Sequence, residues 1–360
     1  MFLTIIAFIF VLGILVLVHE LGHFLAAKAF GVKVEEFAFG FPPRIFSWKR
    51  GETNYSLNAI PIGGYVKMLG ELEHSKDKRA FENQAPWKRL IISLAGVTMN
   101  FLLAWLALWI CFSVGTYPVA TDPNSLPGQK IYDSPIVVAV ADAGIAKSAD
   151  IKAGDELVSG SAAGATTVFQ TGDDIGSFTR AHAGQEVSLI IDRGKDSLEK
   201  TVTLSNDSAA PLGISSTDNI KVKIPWYQAF YVSLRESVVT VKLMFELFGD
   251  MIKGIFMHEG VSGVGGPIKI FSMTGVAAQA GIISLTRFIA VLSLNLMILN
   301  ILPFPALDGG RSVFIIVEAI FRKRLVHEKI ENIVHLIGFA ILIVLMFLIS
   351  YQDILDRIRK

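Results

Sequence analysis

The chain has 360 residues, of which 52% are hydrophobic and 18% are charged, against roughly 25% charged in an average soluble domain. The formal net charge of +1 provides no overall basic field, so nucleic acid is excluded as an expected partner. A single cysteine, Cys111, excludes a disulfide framework. This composition is that of a membrane protein whose first partner is the lipid bilayer.

Four apolar stretches approach the ~20 residues that a helix needs to cross a bilayer. They run over 2–27, 90–114, 282–302 and 333–350. Lysine and arginine collect within 28–89 and 311–329, so both of these connections are expected on the cytoplasmic side. The sequence therefore predicts a polytopic α-helical membrane protein with a cytoplasmic-side β-hairpin region and one extracytoplasmic α+β domain.

The predicted organisation has seven segments. They are a first transmembrane helix (1–29), a β-rich cytoplasmic or membrane-associated loop (30–89), a second transmembrane helix (90–115), an outer domain (130–215), amphipathic outer helices with a loop (225–281), a third transmembrane helix (282–310), and a cytoplasmic turn with a fourth transmembrane helix (311–360).

The first span ends in the stretch LVLVHELGHFLAAK, which carries His19, Glu20 and His23. Histidines at i and i+4 project from one helical face and can hold one Zn²⁺, with the glutamate between them placed as a base. A charged side chain deep in lipid costs about 2.5–3.5 kcal/mol, which something must compensate. The alternative is that these side chains lie at the mouth of the helix and extend to water. The three-residue pattern favours the metal site.

Residues 35–68 alternate apolar and polar side chains around a turn at 49–52, a pattern that predicts short strands. A free strand edge beside the metal would pair with an unwound substrate through main-chain hydrogen bonds, and residues 55–60 are expected to form this edge. The candidate substrate-binding residues are Tyr55, Leu57, Gly63 and Gly64. The alternative is an ordinary hairpin with a covered edge.

The region 131–214 has the composition of a soluble domain, and SPIVVAVADAGIAKSADIKAGDELVSG predicts a strand, a short helix and a turn into the next strand. Charged residues then interrupt 225–259 at intervals near one helical turn. This spacing favours an amphipathic helix or helix pair along the outer membrane face over a fifth span. His258 and Glu259 are adjacent in sequence, a spacing that disfavours a second metal site.

The third span ends in NLMILNILPFPALDGGRS, where prolines break the helix and Asp308 follows. Irregular backbone at membrane depth survives only where protein or a water-lined cavity satisfies it. Asp308 is expected at the same depth as His19, near the cytoplasmic interface, and is the candidate third zinc ligand. The alternative is a helix C-terminus that turns into a polar loop.

Taken together, these motifs resemble the site-2 proteases, intramembrane zinc metalloproteases, and in particular the bacterial regulator-of-sigma-E branch. The matching segments are HELGH, GGYVKMLGE, GVTMNFLLA, GGPIKI and NILPFPALDGG. The resemblance implies a Zn²⁺ site of His19, His23 and Asp308, with Glu20 as the catalytic base. It also suggests that Asn300 hydrogen-bonds the substrate backbone or the developing oxyanion; an interhelical hydrogen bond is the alternative.

The resemblance further implies that the outer domain is PDZ-like. Such a domain either binds chain termini or acts as a steric filter. The resemblance favours the steric filter. Expected substrates are transmembrane segments of single-span membrane proteins, cut during regulated intramembrane proteolysis or clearance of signal-peptide remnants in the bacterial cytoplasmic membrane. A rival of another class is a catalytically silent, zinc-stabilised membrane scaffold with a peptide-binding PDZ-like domain; the intact Glu20 disfavours it.

Overall fold

A computed structural model describes residues 1–71, 73–141, 144–194, 196–206, 210–256, 266–323 and 328–359. His258 and Glu259, considered above for a second metal site, lie outside these ranges. The described chain divides into two compact units. The first comprises 1–114 and 226–360, and the second comprises 115–225.

The elements follow one another along the described chain as helices interrupted by two groups of strands. The helices are α1 (Phe2–Ala29), α2 (Pro86–Val114), α3 (Ile145–Ser148), α4 (Gly172–Ala181), α5 (Trp226–Phe256), α6 (Pro267–Gln279), α7 (Ile282–Ile301), α8 (Asp308–Phe321) and α9 (Glu328–Arg359). The strands are β1 (Val34–Arg50), β2 (Thr53–Met68), β3 (Gln129–Val140), β4 (Glu156–Ala162), β5 (Ala165–Val168), β6 (Glu186–Arg193), β7 (Asp196–Thr203) and β8 (Ile214–Lys223).

Four helical segments of the described chain are long and apolar enough to span a membrane, as predicted. They are Phe2–Ala29, Pro86–Val114, Ile282–Ile301 and Ile333–Leu355. A helix is the expected form for such segments, because lipid provides no hydrogen-bonding partner for backbone N–H and C=O groups. The amphipathic segment after the second unit is a single helix of 31 residues, α5, and it is not among the four.

Helix α2 is the central element of the first unit and packs against α1, α5, α7 and α8. The Ser293 hydroxyl of α7 donates to the carbonyl oxygen of Asn100 at 2.8 Å. On the α5 side, the indole N–H groups of Trp105 and Trp109 donate to the backbone carbonyls of Phe230 and Trp226. These bonds fix α2 between its neighbours, so any side chain that α2 presents to α1 has a defined place.

Strands β1 and β2 form one long antiparallel hairpin with its turn at residues 51–52, inside the predicted turn. The strands have 17 and 16 residues, longer than the short strands expected. They accommodate this length through register shifts between residues 39 and 46. Gly40 and Gly63, both at positive φ, lie where the pairing shifts, and glycine adopts that backbone conformation without steric cost.

The hairpin folds back on itself, which determines where its free edge lies. Residues 36–39 pair with 64–67 and also with 54–57, and the latter pair in turn with 46–49. The prediction of a free edge at 55–60 fails for its first half, because residues 55–57 pair on both sides, whereas residues 58 and 60 each pair on one side only. Within the described chain, residues 64–67 pair on one side only and form one edge, and residues 46–49 form the opposite edge.

The second unit is an antiparallel sheet with two short helices. The strand order is β7-β6-β4-β3-β8, and β5 pairs with β4. The strand, short helix and strand predicted from the sequence correspond to β3, α3 and β4. Apolar side chains from the sheet, the helices and the segments between them form its core, including Val137, Leu157, Phe169, Phe178 and Leu189.

One buried ion pair in this unit generates a prediction about pH. Asp155, whose side chain is 2% exposed, accepts from Arg193 Nε at 2.7 Å and Nη2 at 2.8 Å. Burial acts to raise the pKa of Asp155, but the hydrogen bonds from Arg193 and from the Lys152 N–H outweigh it and lower the pKa. A carboxylate with a lowered pKa in the folded state stabilises that state above its unfolded pKa and loses this contribution as pH falls through the folded value.

We therefore expect Arg193→Met to destabilise the second unit by about 3 kcal/mol at pH 7, because it leaves a buried carboxylate without its main partner. The difference from wild type should shrink below about pH 4, where the unfolded-state carboxylate becomes protonated. Hydrogen exchange of residues 156–162 in the full-length protein measures the free energy of unfolding of the second unit at each pH. Arg180→Met, at an exposed position of α4, is the control with a charge removed elsewhere in the unit. A difference that stays constant from pH 7 to pH 3 would contradict the assignment.

Candidate metal centre

His19 and His23 lie one turn apart on the same face of α1, and Asp308 begins α8 directly opposite them. Asp308 Oδ2 is 3.1 Å from His19 Nε2 and 3.3 Å from His23 Nε2. The two Nε2 atoms are 3.2 Å apart. Three ligand atoms from two distant parts of the sequence thus form a nearly equilateral triangle.

This triangle has the size that a tetrahedral zinc site requires. Ligands at about 2.0–2.1 Å from a tetrahedral ion lie about 3.3 Å from one another. The described residues contain one group of three or more His, Cys, Asp or Glu side chains that could hold a metal, and it is this one. Both imidazoles are buried, and Asp308 is largely so.

A hydrogen bond at Nδ1 fixes the tautomer of His23, and the lone pair of the ring then lies on Nε2, the nitrogen that faces the triangle. His23 Nδ1 lies 2.8 Å from the carbonyl oxygen of Ile92, which can only accept, so Nδ1 carries the proton. Nε2 of a neutral ring is then a lone-pair donor, and it faces a carboxylate oxygen. Asp308 Oδ2 is buried without a hydrogen-bond partner among the described atoms. Converging lone pairs in a buried site call for a cation between them.

The broken end of α7 positions Asp308. Helix α7 ends at Ile301, and Pro303 and Pro305 lack the N–H groups needed to continue it. Helix α8 then starts at Asp308, with its first turn pressed onto this segment. A Cβ at Gly309 would lie 2.2 Å from the carbonyl oxygen of Leu302, so glycine is required at this position. The Ser93 hydroxyl of α2 donates to the Asp308 carbonyl at 3.2 Å and fixes the start of α8.

Gly96 of α2 closes the site from the side of the histidines. A Cβ at this position would lie 2.5 Å from His23 Nε2 and 2.8 Å from His19 Nε2. The missing side chain therefore leaves space directly beside the two nitrogen atoms. Gly96 begins the segment GVTMNFLLA, and the sequence alone predicted no role for it.

Glu20 lines a cavity of about 200 Å³ next to the triangle. Tyr65, Val66 and Met68 of the β2 edge line the same cavity. A Cβ at Gly64 would lie 3.3 Å from Glu20 Cγ, so the backbone of this edge passes close to the glutamate. An ion pair between Arg311 of α8 and Glu71 joins the end of β2 to the helix that carries Asp308.

The structure brings His19, Glu20, His23 and Asp308 together, as the sequence predicted. Gly64 lies beside Glu20, whereas Gly63 faces the ring of Phe41. The other candidate substrate-binding residues lie elsewhere: Tyr55 and Leu57 are on the interior strand, and Asn300 is half-buried at the end of α7 and does not line the cavity.

A second residue that the sequence reasoning left without a role is Asn100. It lies on α2, one turn after Gly96, and is fully buried. Its Nδ2 is 3.1 Å from His19 Nδ1, on the side of the ring that faces away from Asp308. The signal in the sequence was an amide in the middle of an apolar span, where polar side chains are expensive.

Comparisons with known proteins cover most of the chain. The profile described as peptidase family M50 matches residues 7–345. A Clostridium perfringens relative, provisionally named a zinc metalloprotease, is 35% identical over 346 residues, which cover 95% of each chain. The zinc metalloprotease RasP of Geobacillus kaustophilus is 30% identical over 436 aligned residues, which cover 98% of this chain and 97% of the relative.

The regulator of sigma-W protease RasP from Bacillus subtilis is 28% identical over 439 residues, which cover 98% of each chain. The profile match spans far more than half of the chain and includes all three ligand candidates. The chain therefore belongs to peptidase family M50, the site-2 proteases.

Proposed function

We propose that this protein is an intramembrane zinc endopeptidase in which His19, His23 and Asp308 hold the metal and Glu20 is the general base. The triangle of ligand atoms, 3.1–3.3 Å on each side, carries the proposal. A catalytic zinc has three protein ligands and an open fourth position, whereas a structural zinc has four. Three candidate ligands in the described chain, with a cavity beside them, favour the enzyme over the silent scaffold.

The chemistry is peptide hydrolysis. Zn²⁺, when bound, supplies a Lewis acid that brings the pKa of water to about 7 and polarises a carbonyl. Glu20 accepts the proton of the attacking water and returns it to the leaving amine nitrogen. The largely buried surroundings strengthen each of these electrostatic interactions, since little solvent screens them. Arg311 and Glu71, paired at the cavity wall, hold the β2 edge next to this chemistry.

The substrate is proposed to bind along the β2 edge as an added strand. A transmembrane helix uses its own carbonyls in internal hydrogen bonds, so it must unwind before hydrolysis. Residues 64–67 pair on one side only, and Tyr65 and Val66 among them line the cavity that contains Glu20. Their free backbone groups are therefore proposed to bind the unwound segment where it is cut. Recognition through main-chain hydrogen bonds requires little sequence specificity.

The proposed substrates are transmembrane segments of single-span proteins in the bacterial cytoplasmic membrane. The printed name of the Bacillus subtilis relative, a regulator of sigma-W protease, supports an anti-sigma factor as one substrate; signal-peptide remnants are another. The second unit, 115–225, is proposed to be PDZ-like and extracytoplasmic, and to admit only substrates whose outer part has been trimmed.

Glu20→Gln is the sharpest test of the mechanism. We expect a loss of cleavage of at least about 10²-fold, because the amide cannot accept the proton, while bound zinc stays at the wild-type level. Cleavage of a single-span reporter in detergent and elemental analysis of the same samples measure both quantities. Full activity in this variant would exclude Glu20 as the base.

Gly96→Ala tests the space beside the two histidines. Its methyl group would lie 2.5 Å from His23 Nε2, so we expect zinc affinity to fall at least about tenfold. Gly249→Ala, on α5, is the matched control, because a Cβ there meets no other atom within 4 Å. Equal zinc affinity in Gly96→Ala, Gly249→Ala and wild type would show that the metal does not lie in the triangle.

A photocrosslinking amino acid in the Glu20→Gln background locates the substrate. We expect crosslinks to a single-span substrate when the probe replaces Tyr65 and none when it replaces Leu57. Tyr65 lies at the edge and lines the cavity, whereas Leu57 is on the interior strand although 42% exposed. Crosslinks from position 57 and none from position 65 would instead place the substrate along residues 55–60.

A further inference from the structure

The side chain of Asn100 makes an unusual contact for an amide inside an apolar helix bundle. It is 0% exposed, and the contact recorded for it is with His19, where Nδ2 lies 3.1 Å from Nδ1. Its Oδ1 is buried without a hydrogen-bond partner among the described atoms. Leaving a buried acceptor unpaired costs about 1–3 kcal/mol, so this amide has a partner still to be identified.

The ring of His19 identifies that partner. His19 Nε2 faces Asp308 Oδ2 and His23 Nε2, so a metal ligand at this position has its lone pair on Nε2. A neutral imidazole carries one proton, which must then reside on Nδ1 and needs an acceptor. A half-turn of the Asn100 amide places Oδ1 where Nδ2 lies and supplies that acceptor. After this rotation, Asn100 Oδ1 accepts a hydrogen bond from His19 Nδ1–H.

The second histidine already shows this arrangement. His23 Nδ1–H donates to the carbonyl oxygen of Ile92, also on α2, at 2.8 Å. Helix α2 would thus provide one acceptor for each histidine, a main-chain carbonyl for His23 and a side-chain amide for His19. Metal-binding histidines almost always donate their second N–H to such a partner, which fixes the ring and raises its basicity.

We propose that Asn100 is a positioning residue that accepts a hydrogen bond from His19 Nδ1–H and so holds Nε2 toward the metal. The inference rests on the proposed zinc site. The helix-to-helix bond at this residue uses its backbone carbonyl, which accepts from Ser293, so a change of the side chain leaves that bond in place. The hydrogen bond between α2 and α7 at this level is therefore independent of the Asn100 amide, which contacts His19.

The test compares zinc affinity in full-length Asn100→Leu and Asn100→Asp, measured by chelator competition in detergent. Leucine removes the acceptor at similar volume, and we expect zinc affinity to fall 10–100-fold. Aspartate can only accept, so it should retain zinc affinity within about threefold of wild type or increase it. Ser293→Ala is the matched control, since it removes a buried hydrogen bond at the same level of α2 without touching His19.

Thermal unfolding of the zinc-free proteins separates positioning from folding. We expect similar midpoints for wild type and Asn100→Asp, with the stabilisation on adding zinc reduced in Asn100→Leu alone. Equal zinc affinity in Asn100→Leu and wild type would overturn this inference and leave the zinc site intact. Loss in Asn100→Asp as large as in Asn100→Leu would overturn the acceptor role. Wild-type protein that binds no zinc would overturn the proposed function as well.

Discussion

The structure depends on one electrostatic constraint: ionisable side chains among apolar helices must be compensated where they lie. His19, His23 and Asp308 meet this constraint jointly, because two nitrogen lone pairs and a carboxylate oxygen converge on one point. In the proposed site, a divalent cation between them would offset the desolvation of all three groups.

The backbone around the site follows from the same constraint. Helix α7 is broken where its carbonyl groups face the glycine-rich first turn of α8, so the irregular segment is covered by protein. Helix α2 contributes no side chain at Gly96 and an acceptor at Ile92, and its Ser93 hydroxyl binds the start of α8. The hairpin then brings its edge to Glu20. Helix α2 therefore leaves space and orients a histidine, α8 contributes the carboxylate, and the hairpin provides an edge for an extended chain.

The sequence revealed the parts of the site that have a fixed spacing. The i, i+4 histidines lie on one helical face whatever the rest of the fold does, and the four spans follow from apolar length alone. Asp308 was predicted from a helix break and a matching depth. The first half of the predicted free edge, residues 55–57, is interior because register shifts near Gly40 and Gly63 fold the hairpin back on itself, and strand alternation does not encode this long-range pairing. The roles of Gly96 and Asn100 depend on the packing of α2 against α1. The sequence does not encode this packing, since a small residue and an amide in an apolar helix have many possible neighbours.

The most direct test of the account is zinc K-edge X-ray absorption on the purified full-length protein. We expect one zinc per chain, with two imidazole nitrogens and one carboxylate oxygen at about 2.0–2.2 Å, and with the imidazole signal lost in His23→Ala. A sulfur ligand at about 2.3 Å, or imidazole signal unchanged in His23→Ala, would contradict it and place the metal elsewhere.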